Sequence, residues 1–421
     1  RMIKEPVSDE EKEKAKQEGP EWETVNKGSA LWARPRNEIT EEDYNTFYST
    51  LSYDPEPPLA ALHNRVEGKL EYISLFFIPG KAPFDLYDRE QRHGIKLYVR
   101  RIFIADDAKH LMPNYLRFIR GLVDSADLPL NVSREFLQHN REIDKIRAAS
   151  VKKVLAQLKK MAGKDKEKYA KFWKAFGPAL KEGIIEDMNN RDAIAKLLRF
   201  ATSKSEGEAQ TVSLDDYTNR MPVKQKAIYY ITADGHAAAA SSPLLEIFRK
   251  NDTEVLLLSD PVDEWLVNHL HEYEGKPLKS VARGALDLDP EADEKKEKES
   301  EKKNFEPLLN KVREILGEQI KEVRLSSRLV DSPSCLIADE HDIGANMERI
   351  LQAMGQDAPA SKPILELNPD HPIIAGIDPE SDAASEWAQV LLDQAALAEG
   401  VALKDPAGYV KRVNKLLAKA G

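Results

Sequence analysis

The sequence has almost no cysteine and no long hydrophobic run. Cys335 is its one cysteine, so the chain cannot form an internal disulfide, and one thiol cannot build a zinc site. Its longest purely apolar stretches are as short as Val255–Leu258, far below the roughly 20 residues that a membrane-spanning helix needs. No signal-peptide pattern opens the sequence. These absences indicate a reducing compartment, and we expect a cytoplasmic location and no membrane partner.

Positive charge is also in deficit. The chain has 62 Lys and Arg against 72 Asp and Glu, and its formal net charge of −10 opposes general binding to a phosphate backbone. Its 20 Gly and 24 Pro are too few for a collagen-like or wholly disordered chain. With 41% apolar residues among 421, the chain can bury the cores of about two to four domains. We therefore expect a multidomain protein without a nucleic-acid partner.

The motifs of common active sites are missing as well. The patterns GxxxxGK[ST], HExxH, GxSxG and CxxC do not occur. His269 and His271 share one stretch but lack nearby residues to complete a metal site, so surface histidines are the favoured interpretation. In the pairs Asp106-Asp107 and Asp215-Asp216, adjacent side chains do not face each other, which disfavours a catalytic carboxylate pair. We expect no metal site and no self-contained catalytic centre.

Two charged, low-complexity segments divide the chain. Residues 1–20 are poor in large apolar residues and are interpreted as a linker, with the true beginning of the protein expected upstream. Residues 287–304 are either a solvated helix or a linker at a domain boundary. Helix and strand patterns fill the rest without internal repeats. The sequence therefore predicts an α/β and α+β chain of at least two domains.

Several elements can be predicted individually. Residues 70–78 and 95–104 each read as one strand, because β-branched and aromatic residues dominate them. Residues 113–123 could form a short helix with Pro113 in its first turn. The most compact unit is a parallel βαβ crossover, with its strand, helix and strand at 227–232, 241–250 and 255–258.

An arginine at a helix start is the most unusual polar feature. In the stretch SADLPLNVSRE, Asn131 or Ser133 could cap a helix and would place Arg134 in its first turn. The helix dipole disfavours a cation there, so Arg134 could await an anion such as a phosphate, which its guanidinium suits. A salt bridge with Glu135 or another nearby acid is the simpler alternative and, on this chemistry alone, the favoured one.

These residues belong to a wider resemblance. The sequence is similar to the bacterial branch of the ninety-kilodalton heat-shock chaperone family, from Glu21 almost to the end of the chain. The segment around 287–304 is the weakest part of the match. The matching stretches are EWETVNKGSALWAR, YVRRIFIADDAKHLMPNYLRFIRGLVDSADLPLNVSRE, IAKLLRFATS, YYITAD, LLLSDPVDEW and LELNPDHPI.

The resemblance implies which parts of a three-part protomer are present. Residues 21–276 would be an α/β middle domain, in which a large subdomain (about 21–150) and a small βαβ subdomain (about 206–276) are joined by a helical connector (about 151–205). Residues 277–304 would be a charged connector, and residues 305–421 an α+β C-terminal dimerisation domain. The family's N-terminal ATP-binding domain has no counterpart in this sequence.

The resemblance also implies a role in ATP hydrolysis. In the family, the arginine of the NVSRE loop reaches the ATP γ-phosphate across the domain boundary, a role that maps onto Arg134, with Asn131 and Gln138 at matching polar positions. ATP, with Mg²⁺, would bind only in the longer protein, so this chain alone is not expected to be an enzyme. Trp32 matches a tryptophan at the interface between the N-terminal and middle parts. The chain ends without the acidic peptide by which eukaryotic members recruit co-chaperones, although other co-operating chaperones remain possible partners.

Apolar residues set among acids suggest a surface for partly folded client proteins. Such surfaces reward any exposed hydrophobic chain with little demand on its sequence. Packed core is the alternative, and for a stripe at helical spacing it is the commoner case. The candidate client-binding residues are Glu264, Trp265, Asn268, Ile343, Met347, Ile350 and Leu351.

The last two predicted helices, residues 381–398 and 406–418, could form a dimer interface. Each carries an apolar stripe, and little sequence remains to cover them, so a second copy could complete a four-helix, two-fold interface. The resemblance implies such a homodimer; a monomer with both helices folded back on their own domain is the alternative. The candidate interface residues are Trp387, Val390, Leu391, Leu397, Val410, Val413, Leu416 and Leu417.

Two other functions compete with a client-binding, ATP-coupled chaperone. One is a scaffold or interaction protein that never used ATP. The other is a transducer like those of type II topoisomerases or MutL, which the net charge of −10 and the lack of a DNA-binding module oppose.

Overall fold

The computed structural model describes residues 2–3, 22–23, 29–88, 94–129, 140–284, 292–340, 342–356 and 361–420. The chain divides into two compact units, residues 1–157 and 158–421. Both are mixed α/β, as the sequence predicts at this coarse level. In the described residues, no helix is both long and apolar enough to cross a membrane.

The first unit is built on one five-stranded sheet and two helices. The sheet order is β3-β4-β7-β5-β6, with β5 parallel to β7 and the other neighbours antiparallel. A separate two-stranded pair joins β1 and β2. The elements are β1 Met2–Ile3, β2 Trp22–Glu23, α1 Glu41–Ser52, β3 Ala60–Val66, β4 Tyr72–Ile78, β5 Ile95–Val99, β6 Ile102–Ala105, β7 Arg120–Ser125 and the start of α2 Arg141–Lys164.

Helix α1 shows how the local sequence sets an element boundary. The Thr40 side chain accepts a hydrogen bond from the backbone N–H of Asp43, and the Asp43 carboxylate accepts one from the backbone N–H of Thr40. This reciprocal cap satisfies two amides that the first turn leaves without helical partners.

Two expectations for the sheet are wrong in detail. Residues 113–123 do not form a helix: apart from a single 3₁₀ turn at Asn114–Leu116, the segment leads into β7, which lies between β4 and β5. Residues 95–104 form two strands rather than one, because the chain reverses at Arg100 and Arg101, whose φ angles are 49° and 67°. The turn is held by a hydrogen bond from the Arg101 amide to Asp124 Oδ1 (3.1 Å).

The second unit contains two sheets with helices on them. One sheet has the order β11-β12-β9-β10-β8, and the other has the order β13-β15-β14. Its helices are the rest of α2, α3 Lys166–Lys181, α4 Gly183–Glu186, α5 Arg191–Ala195, α6 Leu214–Arg220, α7 His236–Ser241, α8 Glu246–Lys250, α9 Asp263–Val267, α10 Ala292–Leu316, α11 Ala345–Ala353, α12 Pro372–Ala375, α13 Ala384–Ala398 and α14 Pro406–Ala420. Its strands are β8 Ala201–Thr202, β9 Ile228–Thr232, β10 Val255–Leu258, β11 Glu272–Tyr273, β12 Lys276–Ser280, β13 Glu322–Leu325, β14 Ser334–Ile337 and β15 Ile364–Leu367.

The predicted βαβ crossover is confirmed. Strands β9 and β10 are parallel, with Val255 opposite Tyr229 and Leu258 opposite Thr232, and helices α7 and α8 connect them. The sheet extends past residue 276, because β12 pairs in parallel with β9. The apolar core on this sheet also includes Leu329, Cys335 and Ile364, so the two sheets of the second unit share one core.

Candidate functional site

The predicted phosphate-contacting residues cannot be placed, because Asn131, Arg134 and Gln138 lie outside the described residues. The described part of the following helix begins at Arg141. There the Asn140 side chain accepts a hydrogen bond from the Glu142 amide at 2.7 Å. The role of Arg134 therefore stays a prediction.

Trp32 lies in the core of the first unit. Its side chain is 9% exposed, and its ring packs against Phe47 and Tyr98 at centroid distances of 5.8 and 4.8 Å. Its indole N–H donates to Asp124 Oδ2 at 2.8 Å. His63 Nε2 lies 2.9 Å from the Trp32 carbonyl oxygen, and burial lowers the pKa of this histidine. These contacts fix Trp32 within its own unit, and its expected part in an interdomain interface stays a prediction.

Helix α9 and the residue that follows it carry three of the candidate client-binding residues, in three different environments. Trp265 is half-buried and Asn268 is exposed, but the Glu264 side chain is 1% exposed. We expected Glu264 on an acidic surface rim, and the structure instead buries it. Asn346 Nδ2 donates to Glu264 Oε1 at 2.8 Å, and Arg283 Nη2 lies 3.8 Å from Oε2. These partners compensate part of the cost of burying a carboxylate.

The start of α9 is held by a buried lysine that the sequence analysis missed. Lys181, at the end of α3, has no exposed surface, and its Nζ lies 2.7 Å from Asp260 Oδ2 and 2.8 Å from Asp263 Oδ1. Gln210 Nε2 also donates to Asp260 Oδ2, at 3.1 Å. The ammonium group lies 4.9 Å from the centroid of the Phe200 ring, within the range of a cation–π contact.

The charges of this cluster depend on one another. Burial lowers the pKa of Lys181, but Asp263 and Asp260 together outweigh burial and hold that pKa above its ordinary value. Burial raises the pKa of Asp263 above its ordinary value, although Lys181 opposes the shift. A lysine four residues after Gly177 and eight after Trp173 was the available signal, since this spacing places Lys181 near the face of α3 that carries these two buried residues.

Helix α11 and the residues before it carry the rest of the candidate client-binding set. Ile343, Ile350 and Leu351 are half-buried, and Met347 is 9% exposed. Met354, which follows these residues at helical spacing, is 55% exposed. The apolar side of α11 is thus neither fully buried in the core nor fully exposed to solvent. Both interpretations of these residues therefore remain testable.

A polar chain joins α9, α11 and the end of α13. Asn346, which bonds Glu264, also accepts a hydrogen bond from Arg349 Nη2 at 3.0 Å. Arg349 Nη1 donates in turn to the Gly400 carbonyl oxygen at 3.0 Å. The Asn346–Glu264 and Arg349–Gly400 bonds join different elements and the Arg349–Asn346 bond lies within α11, so α11 is tied both to α9 and to the residues just after α13.

The two C-terminal helices separate the candidate dimer residues into two groups. Val390 and Leu391 on α13 are 2% and 0% exposed, and Leu391 belongs to the core around β15, against which Trp387 packs. Leu416 is also buried, at 6%, and Val413 is half-buried. We expected all eight residues to be available to a second copy, but only three are clearly exposed: Leu397 at 46%, Val410 at 55% and Leu417 at 65%.

Within the described residues, no group of three or more His, Cys, Asp or Glu side chains could hold a metal ion. The thiol of Cys335 is buried, and burial raises its pKa, so it is poorly suited to act as a nucleophile.

Comparison with known proteins agrees with the resemblance. Residues 2–420 match the family model described as Hsp90 protein. The chain is 57% identical to "Chaperone protein HtpG" of Nitrosomonas europaea over 422 residues, covering 99% of this chain and 66% of that protein. It is 55% identical to the proteins of the same name from Nitrosospira multiformis and Coxiella burnetii, covering 100% and 96% of this chain and 66% and 64% of those proteins. The chain thus spans just under two thirds of the length of these relatives, and it belongs to the Hsp90 family.

Proposed function

We propose that this chain is the middle and C-terminal part of a molecular chaperone that binds partly folded client proteins. The observation that carries the proposal is the family match along residues 2–420, together with 57% identity to a protein named as a chaperone. In this proposal residues 21–276 are the middle domain, residues 277–304 a connector and residues 305–421 the dimerisation domain. The protein acts in the cytoplasm. An ATP-independent scaffold is the alternative function.

The proposed chaperone couples ATP hydrolysis to client remodelling through a part that this sequence does not contain. ATP and Mg²⁺ bind in that part, and Arg134 contacts the γ-phosphate, where an arginine stabilises charge on the transferring group. Asn131 and Gln138 assist it, and Trp32 supports the junction between the two parts. The chain by itself hydrolyses no ATP.

Clients bind, in this proposal, to a discontinuous surface around Trp265 and Asn268 together with Ile343, Met347, Ile350 and Leu351. Support comes from the half-buried state of Trp265 and of three residues of the stripe, which leaves apolar surface in contact with solvent. Glu264 acts from below that surface, because its carboxylate holds Asn346 on α11.

We expect Trp265→Arg to weaken suppression of client aggregation several-fold while the melting temperature stays near that of the wild type. The half-buried indole supplies apolar contact area, and a guanidinium at that position would repel apolar segments of a client. Light scattering of a heat-denatured client, with calorimetry of the chain itself, measures both quantities. The control is Val223→Arg, which places the same charge at a fully exposed apolar residue outside the proposed surface. A loss of about 3 kcal/mol or more in the free energy of unfolding would instead identify Trp265 as core.

The proposed dimer forms through α13 and α14 of two copies. Leu397, Val410 and Leu417 are the large apolar residues exposed on these helices, and burying them against their symmetry mates would remove that surface from water. Arg412 supports this arrangement within one copy, since its Nη2 donates to Asp393 Oδ2 at 2.7 Å and holds α14 on α13.

A further inference from the structure

The second unit contains a cavity of about 730 Å³, a volume typical of small-molecule sites. It lies among β9, β14, α11, α13 and the segment that leads from α13 to α14. Much of its wall is apolar and is formed by Ile231, Leu336, Ile343, Leu392 and Val401. A ligand there would contact the proposed client-binding stripe and the proposed dimer helices at the same time.

Five Lys and Arg residues line this cavity, and three of them are engaged by neighbouring residues. Arg349 donates to the Gly400 carbonyl oxygen and to Asn346 Oδ1, both at 3.0 Å. Arg412 is paired with Asp393 at 2.7 Å, and Lys362 is paired with Glu318. Arg283, which also lines the wall, lies 3.8 Å from Glu264 Oε2, and Lys404 is the fifth cation of the lining.

One carboxylate at the wall has no such partner. Glu399 lines the cavity, and although the residue as a whole is half-buried, its Oε1 atom is buried and makes no hydrogen bond to any residue that the structure describes. Burial raises the pKa of Glu399 to about 7, and Arg349 and Arg328 only partly oppose that shift. A buried, unpartnered carboxylate is costly, so a cation brought to it would gain more than at an exposed acid.

We propose that this cavity binds a small amphipathic amine, whose ammonium group pairs with Glu399 while its apolar body lies against Leu392 and Val401. The cavity supplies an apolar wall and one acceptor inside it, and Arg349, Arg412 and Lys362 at its wall are engaged by other residues. An ammonium group carries three donors and can satisfy the Glu399 carboxylate without displacing the contacts of Arg349.

The first test is isothermal titration calorimetry of the intact chain with 4-phenylbutylamine, with 4-phenylbutan-1-ol as the neutral comparator. We expect the amine to bind at least tenfold more tightly than the alcohol. Glu399→Gln should abolish that preference and leave the alcohol unaffected. Glu348→Gln is the matched control, because Glu348 lines the same cavity but bonds Gln352, and it should retain the preference.

The second test uses the wild-type chain alone and does not depend on a variant that folds. The ammonium group binds the ionised carboxylate, and with a pKa of about 7 the ionised fraction of Glu399 rises roughly tenfold between pH 6 and pH 8. Amine affinity should rise by about that factor and alcohol affinity should stay constant. Equal affinity for amine and alcohol, an amine affinity independent of pH, or no measurable binding of the amine at millimolar concentration would each overturn the proposal.

Discussion

Replacing Lys181 with methionine should lower the free energy of unfolding of the second unit by about 3–5 kcal/mol. The ammonium group is the shared partner of Asp260 and Asp263, and the Asp263 side chain is 1% exposed. Methionine fills most of the volume but leaves two carboxylates without their cation. Without the opposing charge of Lys181, burial would raise the pKa of Asp263 further and favour its protonated form, and the start of α9 would lose its anchor. Urea unfolding at pH 7, followed by tryptophan fluorescence, measures the loss.

Two controls separate buried charge from other causes. Lys196→Met removes another lysine–carboxylate pair, Lys196–Glu274 at 3.0 Å, whose side chains are 42% and 54% exposed, and it should cost less than about 1 kcal/mol. The double variant Lys181→Met/Asp263→Asn removes charge from both sides and should recover part of the lost stability. If Lys181→Met costs no more than Lys196→Met, the buried cluster is not a stabilising anchor.

Introducing a charge at the exposed apolar residues of α14 should dissociate the proposed dimer. We expect Val410→Glu/Leu417→Glu to weaken self-association at least about 100-fold. Because the interface is two-fold symmetric, each substitution places two carboxylates in it, one from each copy. Sedimentation velocity at micromolar concentration should show a dimer for the intact chain and a monomer for the variant.

The matched control for dimerisation is Lys411→Glu, an exposed position on the same helix but away from the side that carries Val410 and Leu417. That variant should remain dimeric with an unchanged helix content by circular dichroism. Truncation before Glu380 should also give a monomer. An intact chain that is already monomeric at micromolar concentration would contradict the proposed interface.

The parts of the fold that the sequence predicted well are those set by local pattern. The βαβ crossover followed from two short apolar runs with a helical segment between them, and this topology has one favoured parallel form. Strand β7 was missed because its identity depends on non-local pairing. The stretch PNYLRFIRGLV suits a helix locally, but β4 and β5 enclose it on both sides, and the tertiary context outweighs local propensity.

A glycine in β7 was a second signal for a strand, one that the hydrophobic periodicity of the sequence did not capture. Gly121 has φ of +148°, and a Cβ atom there would lie 2.1 Å from the Leu75 carbonyl oxygen of β4. Only glycine allows this close approach. The reversal at Arg100 and Arg101 had no comparable signal, since arginine seldom marks a left-handed turn.

For the candidate site, the sequence could identify residue types but not their burial. It singled out the acidic and apolar residues of α9, yet it could not show that Glu264 points inward to Asn346, 82 positions further along the chain. The same limit applies to Val390 and Leu391, whose stripe is covered by their own unit rather than left open. Amphipathic spacing shows that a face is buried, but not what covers it.

ATP turnover of the completed protein tests the central proposal most directly. The chain would be fused to the C-terminal end of the part of the Nitrosomonas europaea relative that it does not match. ATP turnover would then be compared for the chain alone, the fusion, and the fusion carrying Arg134→Ala or the control substitution Arg141→Ala. We expect no turnover from the chain alone, turnover from the fusion and from Arg141→Ala, and about 100-fold less from Arg134→Ala. If Arg134→Ala changes neither the ATP turnover nor the association of the two parts, the proposed role of this arginine is contradicted.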